Sequence, residues 1–212
     1  MNFRTFIPAR SARLGTLIVM CGLLTVFAGC EDELVGTPRP RAYPRINYPT
    51  GNTQLVDAAS CPFAFEYPSY AELRRDTSYF GELPPHPCWF DLATDALNGQ
   101  LHLSYAPIRN QNDFERLRDD AFELASKHNV VASYIDELPI SRPDAKVYGF
   151  VFSLEGNVAS PFQFYLTDST RHFVRGALYV NARASADSLA PVYDFLRSDA
   201  LGMIDTWTWE DQ

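Results

Sequence analysis

The sequence predicts an α+β fold, a mostly antiparallel sheet of about seven strands with two or three helices packed on it. Three observations carry that expectation. Residues 146–155, 161–167 and 172–180 are runs of β-branched and aromatic residues separated by short polar turns, the composition of an antiparallel meander. These runs are apolar at nearly every position, so both faces should be covered and the meander should form the middle of the sheet. Two further stretches, one ending at His128 and one following Asp187, place apolar side chains at helical spacing.

The chain has 212 residues, 46% hydrophobic and 14% aromatic, which suits one well-filled domain with accessories and excludes a disordered protein. Its formal net charge is -8, and the first 29 residues hold Arg4, Arg10 and Arg13 with no acid, so the remainder is more acidic still. Such a body argues against nucleic acid and against an electrostatic grip on anionic lipid.

The elements follow in order. Three arginines, fourteen mostly apolar residues at 14–27 and then Ala28-Gly29-Cys30 make a secretory signal peptide, its apolar run too short to span a bilayer. Small residues directly before a cysteine resemble the bacterial lipoprotein box, with Phe27 in place of the usual Leu. That resemblance implies cleavage before Cys30 and acyl chains such as palmitate on it. Two or more chains hold a protein on a membrane where one is marginal. Glu31-Asp32-Glu33 reads as a solvated spacer. It also resembles lipoprotein export signals of Bacteroidota, without their leading Lys or Gln.

Residues 30–58 are expected as a tether. Pro38, Pro40, Pro44 and Pro49 favour extended chain, with Arg39, Arg41 and Arg45 between them. Tyr43, Ile46 and Tyr48 suggest docking, either on the chain's own domain or on a partner. Residues 59–212 form the expected domain. Phe63, Phe65 and Tyr67 alternate with Ala64 and Glu66 in a half-buried strand ended by Pro68. Residues 69–76 are expected as a turn or two of helix capped by Ser69. A Pro-rich loop at 84–87 leads to a strand at 88–92, and another strand spans 100–108. Phe114, Leu117, Ala121, Leu124, Ala125 and His128 mark a helix over 112–128, capped by Asn112 or Asp113. A strand at 130–140 closes on Pro143-Asp144. In the last helix Asp187 is the expected N-cap, Pro191 lies in the first turn, and Leu189, Val192, Leu196 and Met203 face inward. Trp207 and Trp209 are expected to clamp the C-terminus.

Polar chemistry concentrates at 167–175. Asp168, Ser169 and His172 invite a catalytic triad, yet side chains this close in a hairpin turn rarely converge as acid, base and nucleophile, and no Gly-x-Ser-x-Gly elbow is present. Asp and Ser at a turn more often bond their own backbone. His86, His102, His128 and His172 lack metal-ligand spacing and fall in different elements. Cys61 and Cys88, 27 positions apart at the mouths of two expected strands, should form a disulfide in an exported chain. Two buried thiols and a redox pair are the alternatives, the latter without a Cys-x-x-Cys to support it.

The residues also resemble those of a known family, the gliding-motility lipoprotein GldD of Bacteroidota. The resemblance runs through Pro38-Arg39-Pro40-Arg41, Cys61-Pro62, Cys88-Trp89, Leu103-Ser104-Tyr105 and the 156–164 segment. It is densest in Thr167-Asp168-Ser169-Thr170, His172-Phe173, Arg175-Gly176-Ala177-Leu178-Tyr179 and the 187–192 segment. Ala42 and Ala184-Ser185-Ala186 depart from the family pattern. The resemblance implies a component of gliding motility and type IX secretion in the cell envelope, on the periplasmic side of a membrane. No enzymatic activity is established for the family, so catalytic residues, metal, cofactor and small-molecule substrate are not expected. The implied partners are other envelope proteins of that machinery. The order of elements is similar to the Mog1/PsbP-type α-β-α sandwich, with helices on both faces of the sheet. In this reading Asp168, Ser169, Thr170, His172 and Arg175 form a contact patch. The alternative is an anchored hydrolase using His172 with Asp168 or Ser169, which a recessed pocket around His172 would favour.

Overall fold

The computed structural model describes residues 45–56, 61–77, 81–127, 132–182 and 186–210. Cys30, Arg39, Arg41 and His128, with the leader and the 31–33 acidic run, lie outside these residues. The chain divides into two units, Met1–Ala42 and Tyr43–Gln212, and every described residue belongs to the second. Its strands are β1 (Thr53–Leu55), β2 (Phe63–Ala64), β3 (Glu66–Pro68), β4 (Glu72–Arg75), β5 (Phe90–Thr94), β6 (Gly99–Pro107), β7 (Ala132–Arg142), β8 (Val147–Gly156), β9 (Phe162–Thr167), β10 (His172–Val180) and β11 (Thr208–Trp209). Helix α1 (Gln111–Ser126) lies between β6 and β7, and α2 (Ala186–Thr206) between β10 and β11.

Seven strands make one antiparallel sheet in the order β4-β5-β6-β10-β9-β8-β7. The meander β8-β9-β10 occupies its middle, and all six residues of β9 are buried. Hairpins join most neighbours, through 3-10 turns at Asp95–Leu97 and Pro143–Ala145 that end on Asn98 and Lys146 in the left-handed region. The exception is the long passage from β6 to the far edge strand β7, which carries α1.

Alternate residues of each strand serve two apolar clusters. Phe162, Phe164 and Leu166 of β9 pack with Val192, Leu196, Ala200, Met203 and Ile204 of α2. Tyr165 of β9 and Phe173 of β10 pack with Ala121 and Ala125 of α1, with Phe114, Leu117 and Phe122 beside them. Successive strand residues point to opposite sides, so the two clusters lie on opposite faces of the sheet. Gly149 of β8 is required by the close pairing with β9, since a Cβ there would meet the Tyr165 carbonyl oxygen.

Several local expectations are corrected. Residues 69–76 do not form a helical turn; 72–75 are the edge strand β4, paired with β5. Eight residues are too few to sustain a helix alone. The strand packs Leu73 against the core and brings Arg74 to 2.6 Å from both Glu72 and Asp95. The α1 cap is Asn110, whose side chain accepts from the Asp113 amide at 3.0 Å. In α2, Asp187 falls inside the helix and Pro191 past its first turn. The end of the expected tether belongs to the folded unit. Ile46 packs on the core, the Tyr48 ring lies 4.8 Å from Phe195, β1 pairs with β3, and Val56 is buried.

The C-terminus is held at several points. Trp207 is fully buried against Phe63 and Phe65. Arg142 of β7 donates to the carbonyls of Ile204 and Trp207 at 2.7 and 3.1 Å, satisfying acceptors that the end of α2 leaves open. β11 pairs with β2, and the Trp209 indole N–H donates to the Lys146 carbonyl at 3.1 Å.

Candidate functional site

The β9–β10 turn is built around one carboxylate. Asp168 Oδ1 accepts from the backbone amides of Thr170, Arg171 and His172 at 3.0, 2.8 and 2.8 Å, and its Oδ2 accepts from the Thr170 hydroxyl at 3.0 Å. Thr167 closes the base of the turn by donating to the His172 carbonyl at 2.7 Å and accepting from the Ser169 amide at 2.9 Å. Ser169 takes a left-handed backbone, φ 66°, which lets the four-residue turn close. The Arg171 carbonyl accepts from the Ile108 amide, tying the turn to the end of β6.

Burial tends to raise the Asp168 carboxyl above its ordinary value. The bonds from Arg171, His172 and Thr170 outweigh that and hold it below the ordinary range. A carboxylate lowered by folding stabilises the native state above its unfolded value, and that contribution disappears as pH falls through the folded value. Asp168→Ala is therefore expected to cost about 1–3 kcal/mol near neutral pH, since it strands buried amides. The difference from the parent should shrink as the pH is lowered through the carboxylate range. Urea unfolding of both proteins across that range checks this, and a gap independent of pH would contradict it.

His172 turns inward, to the α2 face. Its Nδ1 is hydrogen-bonded to Tyr105 Oη at 3.0 Å, and the Trp209 ring stacks on the imidazole with centroids 5.3 Å apart. His86 meets the Tyr105 ring at 4.6 Å and accepts from the Cys88 amide through Nδ1. Burial lowers the pKa of His86 and raises that of Tyr105, the nearby Asp168 charge adding to the latter. Both shifts favour the neutral ring. The Trp89 indole donates to the Tyr105 carbonyl at 2.9 Å, and the Cys61–Cys88 disulfide, with Cα atoms 5.8 Å apart, fixes this corner covalently. Arg175 points to the opposite face, where it donates to Gln163 Oε1 at 2.7 Å.

The five patch residues are thus divided. Ser169 and Thr170 stand exposed at the tip, beside the exposed Arg171. Asp168, whose side chain is 6% exposed, and His172, 8% exposed, serve the turn from within. Arg175 is half-buried on the α1 side. The triad is not assembled, because Asp168 is committed to amides and His172 Nδ1 to Tyr105. The surroundings of His172 were not legible in sequence, since its neighbours Tyr105 and Trp209, and His86 behind Tyr105, come from β6, β11 and a loop. The one available signal was the aromatic character of all three. Among the described residues no cluster has the makings of a metal site, and no helix is long and apolar enough to cross a membrane.

A family model described as gliding motility lipoprotein GldD matches residues 33–209. No curated protein sequence matches the chain. The solution structure of cyanobacterial PsbP (CyanoP) from Synechocystis sp. PCC 6803 is similar to it at 12% identity and a TM-score of 0.39, over 71% of this chain and 92% of that one. With most of its length inside the family model, the chain belongs to the gliding motility lipoprotein family.

Proposed function

We propose that this gliding motility lipoprotein is a non-catalytic interaction module of the gliding and type IX secretion machinery. Acyl chains on Cys30 hold it to a membrane facing the periplasm, and the folded unit presents the β9–β10 turn to another envelope protein. One observation carries this reading. The polar groups of the turn are spent on holding its own backbone, so that a rigid tip of Ser169, Thr170 and Arg171 projects from the most buried strands of the sheet. A tip ordered beforehand loses little entropy on binding. Asp168 and His172 set its shape, and Arg175 supports β10 from the other face.

The test is quantitative co-purification from crosslinked cells. Arg171→Ala and Ser169→Ala should fold and reach the membrane with melting temperatures near the parent's, since both side chains are exposed and the Arg171 ion pair to Asp168 is long, 3.9 Å. Partner recovery should fall several-fold for Arg171→Ala. Normal recovery for both variants together with lost motility would reject the contact tip and return attention to chemistry at His172.

Anchoring has its own check, motivated by Ala28-Gly29-Cys30. Cys30→Ala should abolish metabolic acyl labelling and leave the leader uncut. Processed protein of normal mobility without lipid would contradict lipidation at this residue.

A further inference from the structure

A cavity of about 1040 Å³ opens at the other end of the central strands from the Asp168 turn, and its lining does not read as ordinary surface. It lies between the first half of α2 and the loop that joins β8 to β9. Leu189, Tyr193 and Arg197, spaced four residues apart, form the helix wall, and Phe162 and Leu178 form the floor. Two lining side chains carry a buried polar atom that has no hydrogen-bond partner among the described residues, Ser153 Oγ and Arg197 Nε. Ser153 follows Val147 and Val151 along one row of β8, and Glu155 ends that row.

These two atoms belong to one niche. Ser153 and Phe162 are directly opposite in the β8–β9 register, so their side chains stand together on the α2 face. The Arg197 guanidinium lies over the Phe162 ring, 6.0 Å from its centroid. A hydroxyl and a guanidinium are therefore both neighbours of a single ring. No carboxylate pairs with Arg197 within the described residues, although Asp194 and Glu155 line the same cavity. Buried donors without partners are costly and rare in folded proteins. Two around one cavity of ligand size point to a partner from outside the chain.

We propose that this cavity binds a small amphiphilic monocarboxylate. The carboxylate accepts from Arg197 and Ser153, a pairing suited to the planar guanidinium. The apolar chain lies along Phe162, Leu178, Val158 and Leu189. Glu155 and Asp194 at the same cavity oppose a dianion such as a phosphate monoester more strongly than a singly charged group. The chemistry is shared by a free acyl carboxylate and by the terminal carboxylate of a short apolar peptide. This site is separate from the β9–β10 tip, and either could fail without the other.

The experiment uses the purified full-length lipoprotein in phosphatidylcholine vesicles and a photoreactive analogue of decanoate, with adducts mapped by mass spectrometry. Labelling is expected in the 153–162 and 189–197 segments. Competition by decanoate but not decanol identifies the acyl source. Competition by an apolar tripeptide acid but not its amide identifies the peptide source. Arg197→Gln should lower the labelling affinity about tenfold or more, and Arg197→Lys should retain part of it. Ser153→Ala should also weaken labelling while its melting temperature holds or rises, because the buried hydroxyl is removed. It decides the matter if Arg197→Gln fails to fold. No adduct in these segments, equal competition by the neutral analogues, or parent-like labelling of Ser153→Ala and any folded Arg197→Gln would overturn the proposal.

Discussion

Trp207→Ala should destabilise the domain by about 3–5 kcal/mol, the range for emptying a fully buried aromatic site. Domains of this kind are commonly stable by only about 5–15 kcal/mol, so the variant should melt many degrees lower. Trp207 is 0% exposed, with ring centroids 4.8 Å from Phe65 and 4.9 Å from Phe63. Its loss would open a gap between β2 and the end of α2, where collapse is restrained by the Arg142 bonds to the Ile204 and Trp207 carbonyls. The indole N–H is buried without a hydrogen-bond partner among the described residues. Trp207→Phe should therefore cost much less, about 1 kcal/mol, since most of the stacking survives and an unpaired donor is removed. Denaturant unfolding of the two variants separates packing from polar roles. Equal losses in both would show that the packing argument is wrong.

Replacing both Cys61 and Cys88 by serine should cost a similar amount. Their bond closes a loop with a sequence separation of 27, and the chain-entropy model gives about 3.5 kcal/mol for that length. The loss should have a local component as well. Cys88 and its neighbours Trp89 and His86 hold Tyr105, which in turn holds His172. Thermal unfolding with and without reductant measures the first effect, and hydrogen exchange of the Arg171 and His172 amides measures the second. Unchanged stability on full reduction would mean that the surrounding packing fixes this corner without the covalent link.

The main lines of the fold are legible in sequence where one physical signal dominates. The meander is a case, because β9 carries no charge and has aromatic rings on both faces, which suits a strand inside the sheet. Helix α1 is another, its inner row ending in the buried Ala121 and Ala125. The 69–76 segment was misread because its short polar pattern fits a helical turn, while the fit of Leu73 and Arg74 to β5 and Asp95 is a tertiary fact. Pro and Arg dominate the composition of 30–58, so sequence alone favours a tether there and a domain from 59. Ile46 and Val56 nevertheless find the core, and only the three-dimensional surface shows where. At the turn, Asp168 as a backbone-bonding residue was readable from local chemistry. His172 was not, as its surroundings are assembled from strands and a terminus far apart in the chain.

The disulfide also determines where mechanical load can travel. A pull arriving from the N-terminal side first meets the Ile46 and Tyr48 contacts and then β1, held to the body by its three-residue pairing with β3. At Cys61 the line of tension leaves the backbone and crosses through sulfur to Cys88, next to the strand β5 that leads into the sheet. Once β1 has come away from β3, residues 62–87 are bypassed, and the contacts of β2, β3 and β4 bear no further part of the strain. With the bond intact, the slack available to such a pull ends at residue 61. With it reduced, the same pull could draw out roughly 90 Å of extended chain before it reached the sheet. For a gliding motility lipoprotein, the oxidised bridge would make the folded unit a short, stiff link.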